Sequence, residues 1–246
     1  MFKKIKKIVL DILFPIYCFS CGAEGEFLCA RCKDKILFLY PACPVCKNKN
    51  QDGRPCKGAC RKKTNLTRLL SAVDYDDPLV NELIKSFKYG FVSEIGETLN
   101  SLTVKFLELH RIIGENKKGE PRFFNKKPEK FLLVPVPLHK KRKNWRGFNQ
   151  AELLAELLGK NSGIEVQADI LARSKNTTPQ VELETREKRL NNIIGAFEVK
   201  NIIDSRNKIA VLIDDVSTTG ATLEECARVL KEAGMKQVYA ITAARG

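Results

Sequence analysis

Residues 209–223 read I-A-V-L-I-D-D-V-S-T-T-G-A-T-L, and the order of chemistry along that stretch decides the fold. Ile209 to Ile213 is short, largely β-branched and unbroken by polar residues, the pattern of a strand buried on both faces of a parallel sheet. Asp214 and Asp215 sit where that strand is expected to end. Ser217, Thr218, Thr219 and Gly220 then offer backbone N–H groups and small hydroxyls, before Leu223 to Ala233 resumes at helical spacing and stops at Gly234. The open amides and dipole of such a helix start suit a phosphate.

Two common phosphate fingerprints are missing: no lysine follows Gly220 as a P-loop requires, and there is no GxGxxG. The paired acids supply the distinguishing chemistry. Vicinal ribose hydroxyls can donate to two carboxylates at one end of a ligand while amides hold a 5′-phosphate at the other. Surface acids beside a helix capped by Thr would explain single residues but not the set. The stretch resembles the phosphoribosyl-pyrophosphate motif of type I phosphoribosyltransferases across the strand, both acids and the whole T-T-G-A-T loop. That resemblance implies an α/β fold, a parallel sheet flanked by helices and carrying a flap.

Cysteines mark a second unit. Eight of nine lie between Cys18 and Cys60, as Cys18-x2-Cys21, Cys29-x2-Cys32, Cys43-x2-Cys46 and Cys56-x3-Cys60. Each pair can turn two thiolates toward one ion, so four pairs satisfy two tetrahedral S₄ zinc sites, paired either in sequence or cross-braced. A disulfide framework would need a secretory signal. Phe2 to Tyr17 does not read as one, because Asp11 and Pro15 break its apolar part and no small-residue cleavage site follows. It is also too short to span a bilayer, and is expected to be an amphipathic helix packed on the zinc module. The expected division is therefore 1–64, helix and double zinc ribbon, and 65–246, the α/β domain, in a reducing cytoplasm. Cys226, alone in the second unit, is expected to be a small buried residue.

The formal charge is +14, or about +10 once eight thiolates and two Zn²⁺ are counted. Eleven basic and two acidic side chains fall between Lys117 and Arg146. Such a run favours polyanions, yet it also serves as an ordinary solvated face. Trp145, within it, reads equally as a base-stacking residue or as core packing against the next helix.

The remaining pattern completes the α/β reading. Leu69 to Tyr75 is a strand, Pro78 opens a helix with Leu79, Leu83, Ile84 and Phe87 on one face, and a second helix is expected over Ser93–Ile113. Gly114 to Lys130 is polar and aperiodic and is expected to be a mobile surface loop. Phe131 to Val134 is a buried strand stopped by Pro135-Val136-Pro137, at the end of a sheet where ligands bind. Ala151 to Leu158 is helical, and Ile164 to Val166 begins a short strand. Arg173 to Phe197 carries charge throughout and few core positions, which reads as a lid over the site.

Together, the eight-cysteine start, P-V-P-L-H-K-K-R, R-G-F-N-Q-A-E-L-L-A, T-P-Q-V-E-L with N-x3-G-A-F, and D-D-V-S-T-T-G-A-T resemble the ComF family over nearly the whole chain. ComF proteins are similar to the transferase half of amidophosphoribosyltransferase and in some bacteria support uptake of single-stranded DNA. The resemblance implies that Asp214 and Asp215 form the catalytic carboxylate pair on the ribose hydroxyls. It puts the 5′-phosphate on Ser217, Thr218, Thr219, Gly220, Ala221 and Thr222, and the pyrophosphate side on Pro135, Val136, Pro137, Arg146 and Asn149. Gln180, Lys188 and Arg189 would belong to the flap, where the family's usual Arg eight residues after the Gln is replaced by Lys188. Implied cofactors are two structural zinc ions and magnesium with the pyrophosphate. Implied partners are phosphoribosyl pyrophosphate, single-stranded DNA and a DNA-translocating ATPase of the competence machinery. With no catalytic N-terminal cysteine, glutamine-dependent amide transfer is not expected. Two functions stay open: a phosphoribosyltransferase-like protein of DNA uptake, with or without catalysis, and a small-molecule transferase of nucleotide metabolism.

Overall fold

The computed structural model describes residues 15–90, 92–175, 192–200 and 208–246. Residues 2–14 of the helix expected over Phe2–Tyr17, and the flap residues Gln180, Lys188 and Arg189, lie outside the described residues; residues 15–17 are not helical.

The core is a sheet of four parallel strands: β1 (Arg68–Asp74), β4 (Phe131–Pro135), β7 (Ile209–Ser217) and β8 (Val238–Arg245), in the order β1-β8-β7-β4. Strand β7 is central, which is why its sequence is apolar without alternation: Ile209, Val211 and Ile213 enter one buried layer, Ala210 and Leu212 the other. The first layer is filled by α3 (Pro78–Tyr89), α4 (Ile95–Leu109) and α6 (Gln150–Ser162), the second by α7 (Ala221–Glu232). Helix α3 starts as its sequence suggests, with Asp77 accepting from the amides of Leu79 and Val80 and Pro78 in the first turn.

Four expectations need correction. Strand β7 does not stop at Ile213. Its pairing with β4 ends there, but its pairing with β8 runs on through Asp214 and Val216 to Ser217. Helix α4 ends at Leu109, because Arg111 takes a left-handed conformation and the chain turns into β2 (Ile113–Glu115). Residues 114–130 are not a plain loop: β2 pairs antiparallel with β3 (Pro121–Phe123), and Phe123 is only 1% exposed. The strand expected at 164–166 contributes a single bridge, Leu133 to Val166, at the β4 edge. At the stem of the expected flap, β5 (Leu171–Arg173) pairs antiparallel with β6 (Phe197–Val199), and Ile193, Ala196 and Phe197 are core residues. The intervening charge hid that anchor.

The cysteine-rich segment carries two one-turn helices, α1 (Ala30–Lys33) and α2 (Ala59–Lys62), and covers the opposite edge of the sheet. Phe38 forms an antiparallel bridge to Val73, and the Leu39 amide donates to the Ala72 carbonyl at 2.9 Å, closing hydrogen-bonding groups that β1 would otherwise present to solvent. Gly53 accepts from the Leu69 amide at 3.0 Å; its φ of +70° and the Leu69 carbonyl against it leave no room for a Cβ. Cys18, Leu28, Cys32 and Ile36 share one buried cluster with β1 and α3. Beside this seam Arg68, 6% exposed, pairs with Asp52 and lies 4.8 Å from the Phe124 ring centroid and 5.2 Å from that of Tyr239.

Truncating Arg68 would leave Asp52 without its buried partner and the two rings without their cation. Arg68→Ala should cost about 2–4 kcal/mol in urea denaturation; an unchanged midpoint would show that the seam contributes nothing.

Candidate functional site

The cleft opens where β4 leaves β7. Val136 still donates its amide to the Ile213 carbonyl at 2.9 Å, and the chain then turns away through Pro137. Alternation along β7 sends Asp215 to the face of Ile213 and Asp214 to the face of Leu212. The two carboxylates thus reach the cleft from both sides of the sheet's carboxyl end. Around them stand Lys88, Arg142, Arg146, Arg173, Tyr75, Tyr89 and Asn149, with Val136, Pro137, Thr218 and Thr222.

Each acid meets different surroundings. Asp215, 6% exposed, is 3.1 Å from the Lys88 ammonium. Burial works against the charge on Lys88, yet the Asp215 and Asp214 carboxylates overcome it and hold the ammonium above its ordinary pKa. Asp214 accepts from the Asp215 amide at 2.9 Å, but burial and the neighbouring Asp215 charge push its carboxyl up to about 7. Arg173 is driven the other way, down to about 10, by burial and by Arg142. Among the described residues that line the cleft, four cations stand with two acids, a balance that suits an anionic ligand.

The expected loop is present. Gly220, at φ +79°, takes the left-handed turn that opens α7, and Thr219 accepts from the Ala221 amide at 3.3 Å. Thr218 and Thr222 line the cleft, while Ser217, Thr219, Gly220 and Ala221 supply the backbone turn that carries the first amides of a 12-residue helix. On the other wall, Asn149 caps α6 by accepting from the Ala151 amide at 3.1 Å and donates to the Val136 carbonyl at 3.2 Å. It therefore ties the proline loop to the helix. Pro135 is the buried last residue of β4. Arg146 ends α5 (Lys140–Arg146), donates to Gln150 at 3.2 Å and lies 5.2 Å from the Tyr89 ring centroid; its buried Nε finds no hydrogen-bond acceptor among the described residues. An arginine held this way on the cleft wall retains donor capacity for an anion.

Sequence reasoning did not single out Lys88, Arg173, Tyr89 or Gln150. Lys88 had a signal: it stands four residues after Ile84, on the face that α3 buries. The basic run is divided rather than continuous. Arg142 and Arg146 line this cleft, whereas Lys126, Lys127 and Lys130 join Lys208 and Lys236 beside the start of β7, at the other end of the strand.

The cysteines form two groups, Cys18/Cys21/Cys29/Cys32 and Cys43/Cys46/Cys56/Cys60, with ligand atoms in each within 4.8 Å of one another. This is the sequential arrangement. The Sγ atoms of Cys21 and Cys29 are 3.7 Å apart and those of Cys46 and Cys56 3.6 Å, close to the edge of about 3.8 Å that a tetrahedron with 2.3 Å Zn–S bonds requires. Around Cys18, burial opposes ionisation, but hydrogen bonds from the backbones of Cys29, Cys21 and Ser20 bring the thiol down to about 6. Cys43 is likewise brought to about 6 against burial by the backbones of Cys46, Cys56 and Val45. Amide-supported thiolates are the donors Zn²⁺ needs. Cys226 belongs to neither group: it is buried in α7, and burial with Asp214 nearby pushes its thiol up. No helix among the described residues is long and apolar enough to cross a membrane.

A family model described as a phosphoribosyl transferase domain matches residues 146–246, from Arg146 through the loop to the end of the chain. Competence protein F of Haemophilus influenzae is 30% identical over 233 residues, 92% of this chain and 95% of that protein. Competence protein ComFC of Bacillus subtilis is 30% identical over 221 residues, 85% and 80% of the respective chains. DNA utilization protein YhgH of Escherichia coli strain K12 is 29% identical over 230 residues, 91% and 94%.

Metal content tests the cysteine groups. The purified chain should hold two zinc ions, and Cys18→Ser with Cys29→Ser should leave one, since both belong to the same group; a cross-braced pairing would leave none. Asp214 gives a pH prediction. Its folded pKa lies above the unfolded value, so between about pH 4 and 7 the folded state holds a proton that the unfolded state releases. Stability from this group is full below that window and declines as pH rises through it. Asp214→Asn should therefore raise stability at pH 8 by about 1–3 kcal/mol and have little effect near pH 4, read from denaturation midpoints.

Proposed function

The chain belongs to the ComF family and carries a phosphoribosyltransferase-like domain, and from that premise we propose that its cleft binds phosphoribosyl pyrophosphate. The observation that carries this reading is the meeting, in one cleft, of two carboxylates, the amide loop of α7 and cationic side chains in excess. Asp214 and Asp215 accept hydrogen bonds from the two ribose hydroxyls. The turn from Ser217 to Thr222 holds the 5′-phosphate with backbone N–H groups and threonine hydroxyls. Arg142 and Arg146, beside the loop Pro135-Val136-Pro137, face the pyrophosphate, and Asn149 keeps that loop in place.

The division of charge suits the chemistry. In a transfer, the C1–oxygen bond to pyrophosphate breaks as a bond to the acceptor forms, through a transition state with oxocarbenium character, and the leaving group departs with its electron pair. Arginines on the leaving-group side stabilise that growing negative charge, while the carboxylates stabilise positive charge on the sugar. Lys88, 3.1 Å from Asp215, holds that carboxylate in place for this task. Magnesium would enter with the pyrophosphate and shield its charge; the carboxylates of Asp214 and Asp215 are oxygen donors of the type it accepts.

Relatives named for competence and DNA utilization support a DNA-related role; our reading makes single-stranded DNA the species taken up or processed and a DNA-translocating ATPase the partner. In this reading residues 1–64 form the zinc module that docks on the domain of residues 65–246, in a cytoplasm that keeps the thiols reduced.

Calorimetry with phosphoribosyl pyrophosphate and Mg²⁺ tests the cleft. Binding should weaken about ten- to a hundredfold in Asp215→Asn, which removes a charged acceptor worth roughly 1.5–3 kcal/mol. Wild-type affinity in both Asp215→Asn and Asp214→Asn would remove the carboxylates from the ligand. Pyrophosphate release measured against a panel of acceptors then separates a transferase from a binding protein.

A further inference from the structure

Two aromatic side chains stand in solvent at the mouth of the cleft: Trp145 is 58% and Tyr89 45% exposed. Large rings bury well, so an exposed neighbouring pair calls for a ligand. Their centroids are 5.7 Å apart and their planes 56° from each other, so the rings meet at an angle and neither lies flat over the other. Tyr89 and Arg146 both line the cleft, and the Arg146 guanidinium sits over the Tyr89 ring. Of the two rings Trp145 is the more exposed, and it immediately precedes Arg146 in the chain. Lys140 and Lys141 are exposed on the same short helix, while Lys143 pairs with Glu152 at 3.0 Å.

We propose that Trp145, backed by Tyr89, is a stacking platform for an unpaired nucleobase attached to a phosphate that the cations of α5 and the cleft receive. The inference deepens the phosphoribosyl reading of the same cleft and takes from it only the position of the platform. A nucleobase presents a flat apolar face to Trp145 and its phosphate an anion to Arg142, Lys140 and Lys141, so both halves of a nucleotide find their chemistry within one helix. A duplex keeps its base faces stacked on one another, so recognition through a ring face favours unpaired bases. Stacking also accepts any base, because every base has a flat π-face.

The chain contains one tryptophan, so its fluorescence reports on the platform alone. The protein is titrated with a short oligothymidylate, an abasic strand of equal length and thymidine monophosphate. Oligothymidylate should quench the emission saturably, and the abasic strand should need at least several-fold more protein to bind. Trp145→Ala should weaken oligothymidylate binding about tenfold in fluorescence anisotropy, Trp145→Phe should recover most of that loss, and both should bind phosphoribosyl pyrophosphate as the wild type does. Thymidine monophosphate as effective as the strand would assign the platform to free nucleotides; a strand far stronger than the mononucleotide would assign it to single-stranded nucleic acid. Equal binding of abasic and base-bearing strands, or full binding by Trp145→Ala, overturns the proposal. Wild-type protein that quenches with oligothymidylate but does not bind phosphoribosyl pyrophosphate would sink the phosphoribosyl reading and leave the platform standing.

Discussion

Two carboxylates on adjacent residues of a central strand are hard to bury together, and the site is arranged around that difficulty. Burial opposes the charge on Asp214, and the neighbouring Asp215 carboxylate opposes it further. The sheet relieves the conflict by placing the acids on opposite faces, where separate elements meet them. Helix α3 brings Lys88 to Asp215, and Arg173 at the end of β5 adds a favourable charge toward Asp214. Asp215 is thereby held by an ion pair, while Asp214 is left poised near neutrality. The loss of β4 as a pairing partner beyond Ile213 leaves room for a ligand to approach, and the continued pairing with β8 keeps the backbone rigid beneath it.

The rigid floor contrasts with walls set by side-chain bonds. Asn149 and Gln150 open α6 with amides that each reach across a gap: one to the Val136 carbonyl, the other to the Phe87 carbonyl at 3.4 Å and, through its oxygen, to Arg146. Both are buried with their polar groups engaged, so each fixes an element that would otherwise be free to shift. The proline loop, the end of α3 and the last turn of α5 are positioned by one helix start.

Much of this was legible in the chain because local chemistry and final environment agree. Ile209 to Ile213 is apolar throughout, as a doubly buried strand must be, and Gly220 is where the loop needs a positive φ. The four cysteine pairs announced two S₄ groups, although spacing alone left their pairing open. What escaped had no local period. Hairpin β2–β3 buries essentially one residue, Phe123, among lysines and glycines, too little for alternation to show. The extension of β7 to Ser217 depends on β8, and the ion pair at Asp215 depends on a helix more than 120 residues earlier, so neither belongs to any window of sequence. The division of the basic run between two ends of the sheet follows from the passage of β4 through the core between its halves.

The seam at β1 links metal to solubility. Phe38 and Leu39, the residues that close the edge of the sheet, lie between the last cysteine of the first S₄ group and the first of the second. Their path across β1 is fixed at both ends by cysteine groups arranged as a metal would need. A chain starved of zinc would lose that arrangement, and the edge from Arg68 to Asp74 would be uncovered: a straight, apolar strand with open hydrogen-bonding groups, the template on which a second chain can add. Loss of metal from these groups would then expose an edge prone to aggregation before it affected any chemistry in the cleft.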